Sequence, residues 1–247
     1  MAASDRALRW ESLLNARDLG GIPAANGRRV APHSIVRSDA LYRLNDAGRT
    51  ALVAHGVRTV IDMRATREVA ANPYGLDAST GVTRHHIAQQ SEEMWEAVKG
   101  RARADFDLAM LELARSRFAA IAHAIADAPP GGVLIHCEVG KDRTGLMTML
   151  LLDLVGTRAD EIAADYALTA TGLATLFADL IAKAESHERR ARLQEEALCR
   201  AEVMAAIHAG FRAKHGDAEM YLRLGGLPRS AIDAIRARML QQASPAT

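Results

Sequence analysis

A chain of 247 residues with 49% hydrophobic content is long enough to bury the core of one large domain. The formal net charge is +1, from 31 basic and 30 acidic residues, and no block of like charge stands out, so nucleic-acid binding receives no electrostatic support. The only two cysteines, Cys137 and Cys199, lie far apart and form no paired motif, which excludes a disulfide framework or a cysteine-rich zinc site and makes a reducing compartment the default.

Residues 1–14 carry Asp5, Arg6, Arg9 and Glu11 and lack the apolar centre of a secretory signal. Asn15-Ala-Arg-Asp-Leu-Gly-Gly21 reads as a polar loop ended by glycine. Strand character gathers around Ile35 and Val36. Asn45 and Asp46 open a helix that runs through Ala54 and stops at Gly56. Residues 57–62 read as a strand through Val57, Val60 and Ile61, residues 65–71 as a short helix halted before Pro73, and residues 82–87 as a third strand. Met94 and Trp95 sit in a polar segment and read as packing residues. Helical spacing of Leu108, Leu111, Phe118, Ile121 and Ile125 predicts one helix over 105–127, stopped by Pro129-Pro130-Gly131-Gly132. Val133-Leu134-Ile135 then forms a strand, and an apolar helix follows over 146–152. That helix is far shorter than the ~20 residues a membrane span requires. Helices are expected at 158–170, 172–184, 188–213, 217–224 and 229–241, punctuated by Gly172, Gly216 and Gly225-Gly226.

Strands alternating with helices predict an α/β fold with a mostly parallel central sheet flanked by helices, followed by a helical C-terminal part. Residues 1–247 read as a single domain without linker, repeat or low-complexity segment. Residues 189–200 are highly charged and read as a solvated surface helix; the sharper alternative is a helical cover over an active site within 172–200. A cytoplasmic location is the expectation, although leaderless export leaves no mark in an N-terminus and stays open.

Chemistry concentrates in His136-Cys137-Glu138-Val139-Gly140-Lys141-Asp142-Arg143-Thr144-Gly145, a tight loop between strand and helix. Such a loop turns backbone N–H groups of residues 138–143 toward an oxyanion, and the helix start adds positive potential. Both fields favour the thiolate of a cysteine held there. Arg143, with five residues between it and the cysteine, can grip two oxygens with its planar fork. Three rival readings fail or weaken. A nucleotide-binding phosphate loop needs glycine five positions before its Gly-Lys and Ser or Thr after it, where this chain has Ile135 and Asp142. A metal pair at His136 and Cys137 fails because neighbouring strand residues point to opposite faces and no second ligand pair has suitable spacing. The same geometry reads His85-His86 as an exposed or satisfied pair. A merely buried Cys137 leaves Gly140, Lys141, Arg143 and Thr144 unexplained.

The decapeptide resembles the signature of the cysteine-dependent protein tyrosine phosphatases, and most closely the bacterial tyrosine-protein phosphatases whose loop reads His-Cys-x-x-Gly-Lys-Asp-Arg-Thr-Gly. Asn15-Ala-Arg-Asp-Leu-Gly-Gly21, Val36-Arg37-Ser38-Asp39-Ala40-Leu41, Val60-Ile61-Asp62-Met63-Arg64 and Tyr166-Ala-Leu-Thr169 match further blocks of that branch in the same order. The resemblance implies a tyrosine phosphatase-like fold and hydrolysis through a cysteinyl-phosphate, with a phosphorylated protein or a phosphoinositide as substrate. It needs no cofactor and no metal. Cys137 is then the nucleophile, and residues Glu138, Val139, Gly140, Lys141, Asp142 and Arg143 bind the phosphoryl group. Thr144 is expected to donate to the sulfur, His136 to hold the loop, and the Arg17-Asp18 loop to support the site or to form a plain surface turn. The leaving oxygen needs a proton. Asp62, at the end of a strand, is the first candidate, with an ion pair to Arg64 or Arg17 as its alternative; Asp142 is the second. Rivals from other classes are a small-molecule phosphatase, a sulfur-transfer enzyme and a non-catalytic phosphate binder. Cys199 reads as an inert residue on the charged helix. The oligomeric state leaves no trace in the sequence.

Overall fold

The computed structural model describes residues 6–76 and 80–241. Its five strands are β1 (Arg17–Asp18), β2 (Ile35–Ser38), β3 (Val57–Asp62), β4 (Thr83–His86) and β5 (Gly132–His136). They form one sheet in the order β1-β2-β5-β3-β4. Only β1, an edge strand, runs antiparallel; β2, β3, β4 and β5 pair in parallel. The last strand of the chain that joins the sheet therefore lies in its middle, and the loop leaving β5 emerges at the carboxyl end between β2 and β3. Open parallel sheets bind ligands at that end.

Continuous apolar runs in these strands follow from burial on both faces. Ile35, Ile61, Val133 and Ile135 point into one core, and Val36, Val57, Val60 and Leu134 into another with Trp10 and Leu52. The alternation is the period of two that a pleated strand imposes.

The helices are α1 (Asp46–Ala54), α2 (Thr66–Ala71), α3 (Glu92–Val98), α4 (Arg103–Leu113), α5 (Arg115–Asp127), α6 (Asp142–Leu154), α7 (Ala159–Ala167), α8 (Thr169–Gly172), α9 (Ala174–Ala182), α10 (His187–Ala197), α11 (Ala201–His215), α12 (Ala218–Leu224) and α13 (Arg229–Met239). α1 begins where Asn45 accepts a hydrogen bond from the Gly48 N–H at 2.9 Å. α6 starts inside the Cys137 loop and is sheathed by protein: its residues 146–152 are all buried. Fully burying each Leu or Met side chain of that run contributes roughly 1.5–3 kcal/mol, which anchors the helix start on which the loop depends.

Several elements depart from the sequence expectation. The single helix over 105–127 is two helices meeting at Ala114, because α4 packs on α11 whereas α5 packs on α12 and α13. Two neighbours at different angles require two axes. The helix expected over 188–213 breaks between α10 and α11 for the same reason: α10 lies on α9, and α11 on α4 and α7. Cys199 sits in that break with φ 40, not on the charged helix. Residues 158–170 divide between α7 and α8. Arg17 and Asp18, read as loop, form the short edge strand, and the segment with Met94 and Trp95 is helix α3, whose Ser91 accepts from the Met94 N–H at 3.3 Å. Among the described residues no helix is long and apolar enough to cross a membrane.

Candidate active site

The turn from β5 into α6 is shaped by Gly140, which holds φ 68 and lies so close to Ser38 that a Cβ there would collide with the Ser38 backbone. Around it, scaffold donors capture the loop carbonyls from outside. The Cys137 carbonyl accepts from His136 Nδ1 at 2.9 Å. The Glu138 carbonyl accepts from Ala40 N at 3.1 Å and Arg43 at 2.9 Å. Asn15 Nδ2 donates to the Val139 carbonyl at 3.0 Å, and Arg37 donates to the Gly140 and Lys141 carbonyls at 2.7 and 3.3 Å. With the oxygens turned outward the N–H groups turn inward. Among the described residues none of the N–H groups of residues 138–143 donates a hydrogen bond to protein. Successive unpaired N–H groups facing one point make an anion nest, and here they surround the buried Cys137.

Beneath the loop lies a charge cluster. Asp165 on α7 accepts from Arg17 at 3.1 Å, Arg37 at 2.8 Å and Arg6 at 2.9 Å. Burial disfavours its charge, but the three guanidiniums overrule that and hold its carboxyl far below the usual range. Arg17 also grips the Asn15 side chain at 2.6 Å, so the residue holding Val139 is itself held. Burial and the Arg17 charge lower the Arg37 pKa to about 10, and the guanidinium stays charged at neutral pH.

His136 is fully buried between Cys137 and Tyr74, whose hydroxyl donates to Nε2 at 2.6 Å. Burial away from water lowers its pKa to about 4, so the neutral ring donates from Nδ1 and accepts at Nε2. The Thr144 hydroxyl is buried and has no partner among the described residues; the expected hydrogen bond to the Cys137 sulfur is not made in this arrangement.

On the open side, Arg143 makes a two-pronged ion pair with Glu68 of α2, with the second contact at 2.8 Å. Glu68 also accepts from the Ala65 N–H at 2.7 Å, which ties Arg143 to the start of a helix. Asp142 approaches Arg103 of α4 at 2.9 Å. Arg103 binds Asp107 as well, at 2.8 and 2.9 Å. Burial and the neighbouring Asp142 carboxylate push Asp107 up to about 7, against the pull of Arg103. Lys141 donates to the Glu196 carbonyl of α10 at 2.8 Å and lies 5.4 Å from the centre of the Phe177 ring of α9. The α9–α10 hairpin thus touches the loop, and its small core takes in Val139. A cavity of about 600 Å³ opens beside Lys141, lined by Trp95, Arg103, Phe106, Tyr166, Cys199 and Arg200 among others.

Two expected site residues are placed elsewhere. Asp62 is fully buried in the sheet, bonded to Arg64 at 2.9 Å and Arg84 at 2.8 Å. Burial opposes its charge, yet these arginines hold its carboxyl far below the usual range. This is the ion-pair arrangement with Arg64 that stands as the alternative to a proton-donor role. Asp18 does not support the loop. It lies at the other end of the sheet, where it accepts from Gly20 N at 2.7 Å and His33 N at 2.8 Å. Arg17 and Asp18 part company because successive strand residues face opposite ways. Glu68, Arg103, Asp107 and Asp165 were not singled out from the sequence. Only Asp165 carried a signal, one residue ahead of the Tyr166 block.

A cysteine at the floor of an N–H nest, with an arginine fork above it and a parallel sheet beneath, defines a cysteine-dependent phosphatase. Comparison with known proteins agrees. The family model for the tyrosine phosphatase family matches residues 8–241, and the chain belongs to that family. It is 31% identical over 230 residues to a tyrosine-protein phosphatase of Nostoc commune, covering 89% of this chain and 78% of that one. It is 28% identical over 269 residues to a triple specificity protein phosphatase of Mycobacterium tuberculosis, covering 92% and 96%.

Proposed function

We propose that this protein phosphatase hydrolyses phosphotyrosine first, and phosphoserine or phosphothreonine second, through a cysteinyl-phosphate. The observation that carries the reading is the ring of inward N–H groups at residues 138–143 around a cysteine that is only 2% exposed. A phosphoryl group must travel to the bottom of a pit, and the phenyl ring of tyrosine carries phosphorus farther from its peptide than serine does.

In this mechanism the Cys137 thiolate attacks phosphorus, the S–P bond forms and the P–O bond to the leaving group breaks. The N–H ring and the Arg143 fork take the equatorial oxygens, whose charge redistributes in the transition state. Lys141 adds positive charge at the rim, and the partner-free Thr144 hydroxyl is available to the sulfur. Asp142 protonates the leaving oxygen. Supporting this role, Asp142 lies in the loop itself, with Lys141 3.9 Å away, and shares Arg103 with Asp107, whose own carboxyl is pushed up to about 7 by burial and by the Asp142 charge. Water then attacks the cysteinyl-phosphate and returns its proton to Asp142, releasing phosphate. The α9–α10 hairpin acts as a cover that narrows the approach to Cys137, and the expected intracellular setting keeps the thiol reduced.

Hydrolysis of p-nitrophenyl phosphate in the presence of chelator tests the chemistry. Activity lost in Cys137→Ser and blocked by vanadate is the expected result; full activity in Cys137→Ser overturns the mechanism. Phosphotyrosyl, phosphoseryl and phosphoinositide substrates compared at equal concentration then rank the substrate classes.

A further inference from the structure

At the amino end of the parallel strands, remote from the Cys137 loop, three side chains converge from separate stretches of chain. Asp18 ends the edge strand, His33 precedes β2, and His55 follows α1. His55 Nε2 lies 2.9 Å from Asp18 Oδ2, His33 Nδ1 lies 3.2 Å from His55 Nε2, and His33 Nδ1 lies 3.9 Å from Asp18 Oδ2. A tetrahedral ion with bonds of about 2.0–2.1 Å has ligand–ligand edges of about 3.3–3.4 Å, and the three separations bracket that edge. All three donor atoms lie within 4.8 Å of one another.

The carboxylate is oriented for this purpose. Its Oδ1 is taken by the Gly20 N–H, and its Oδ2 accepts from the His33 N–H and turns its second lone pair to His55 Nε2, 2.9 Å away. His33 Nδ1 lies 3.2 Å from His55 Nε2 and 3.1 Å from the His55 carbonyl. A cation seated between the three side chains would take one lone pair from each in place of the hydrogen bonds that now link them. His33 and His55 also line an open groove of about 860 Å³, which gives an ion access and leaves room for water at a fourth position.

We propose that Asp18, His33 and His55 bind one divalent transition ion of the zinc class, with two imidazoles, one carboxylate and an open fourth position. Imidazole with carboxylate suits zinc, and nickel or copper follow by the ordinary affinity order. The ion would tie the edge strand, the entrance of β2 and the end of α1 together. Because the site lies at the end of the sheet opposite Cys137, its role is to brace the fold and not to join the hydrolysis.

The test uses the full chain, freed of any affinity tag and of metal by chelation. Zinc titration by calorimetry should give one ion per chain and a raised melting temperature. Cobalt should give the visible bands of a tetrahedral site without thiolate charge transfer. His33 has a side chain 60% exposed, so His33→Ala leaves the fold intact. It and His55→Ala should each weaken binding by more than the about 10–100-fold that loss of an outer hydrogen-bond partner costs a metal site. Turnover of p-nitrophenyl phosphate by the metal-free variants should match that of the metal-free parent. Cys137→Ser should bind the ion unchanged. No stoichiometric binding, binding that survives both histidine variants, or binding lost in Cys137→Ser would overturn the proposal and leave a hydrogen-bonded cluster only.

Discussion

Behind the Cys137 loop the charged groups are sealed: Asp62, Asp165, Arg37 and Arg17 are each no more than 4% exposed. In front of it the side chains of Arg143, Glu68 and Asp142 are 15%, 24% and 30% exposed. Both sides are rich in aspartate and arginine, so composition does not separate them; accessibility does, except at Asp107, which is 3% exposed. On the sealed side each carboxylate is outnumbered by guanidiniums, three around Asp165 and two on Asp62. Such groups stay charged and fixed, and they serve as scaffold. On the open side carboxyls are not outnumbered: Glu68 faces Arg143, and Asp107 and Asp142 face Arg103 and Lys141. Those groups can exchange a partner or a proton, which catalysis requires.

The largest expected effect comes from breaking the sealed side. Asp165→Asn leaves three guanidiniums without their anion, and removing one member of a buried pair costs about 3–5 kcal/mol. Chemical denaturation should show a loss of that order at neutral pH. A variant as stable as the parent would mean that the cluster is not scaffold.

The second expected effect sets the two sides against each other. Asp142→Asn should lower turnover of phenyl phosphate by about 100-fold, while p-nitrophenyl phosphate, with its better leaving group, loses far less. Asp62→Asn should lower stability and slow both esters alike. If Asp62→Asn instead shows the leaving-group dependence and Asp142→Asn does not, the roles of the two sides are reversed. A smaller change follows at Glu68. Glu68→Gln removes the charge that orients Arg143 but keeps a hydrogen-bonding group there, so turnover should fall roughly tenfold, about 1.4 kcal/mol, measured as kcat with p-nitrophenyl phosphate.

How much of this was legible in the sequence varies with the range of the interaction. The Cys137 loop is local: strand, turn, helix and every phosphate-facing group lie within one decapeptide, and the residue types alone exclude the nucleotide loop. The parallel strands were legible because burial on both faces leaves unbroken runs such as Val133-Leu134-Ile135. Helix breaks at Ala114 and Cys199 were not, since they arise from which neighbour each half packs against. The full pairing of Asp62 was not legible because its position at a strand end is visible in sequence while its partner Arg84, on the adjacent strand, is not. Glu68, Arg103 and Asp107 reach the loop from helices of their own, and Asp18, His33 and His55 meet only through the folded sheet. Sequence spacing identifies chemistry carried by one segment; chemistry shared among segments needs the fold.

The smallest effect tests the seam between the two sides, at His136. Its ring is neutral, with a pKa lowered to about 4 from 6.5 by burial. Between those values the unfolded chain binds a proton that the folded chain refuses, so stability rises with pH across that window and is lost as pH falls from 6.5 toward 4. The low carboxyls of Asp62 and Asp165 extend the loss below their ordinary range near 3.8. Tyr74→Phe removes the hydroxyl that donates to Nε2, leaving a buried acceptor unsatisfied at a cost of about 1–3 kcal/mol. It also removes a hydrogen bond that only the neutral ring accepts, while the Asp62 charge 3.7 Å away continues to favour the protonated one. The folded-state pKa of His136 should therefore rise toward 6.5 and the acid loss of stability shrink in Tyr74→Phe, so that its deficit against the parent is largest at pH 7 and narrows at pH 5, read as denaturation midpoints at the two pH values. A parallel drop at both pH values, with no narrowing toward pH 5, would show that Tyr74 contributes packing alone and that His136 does not depend on it for its neutral state.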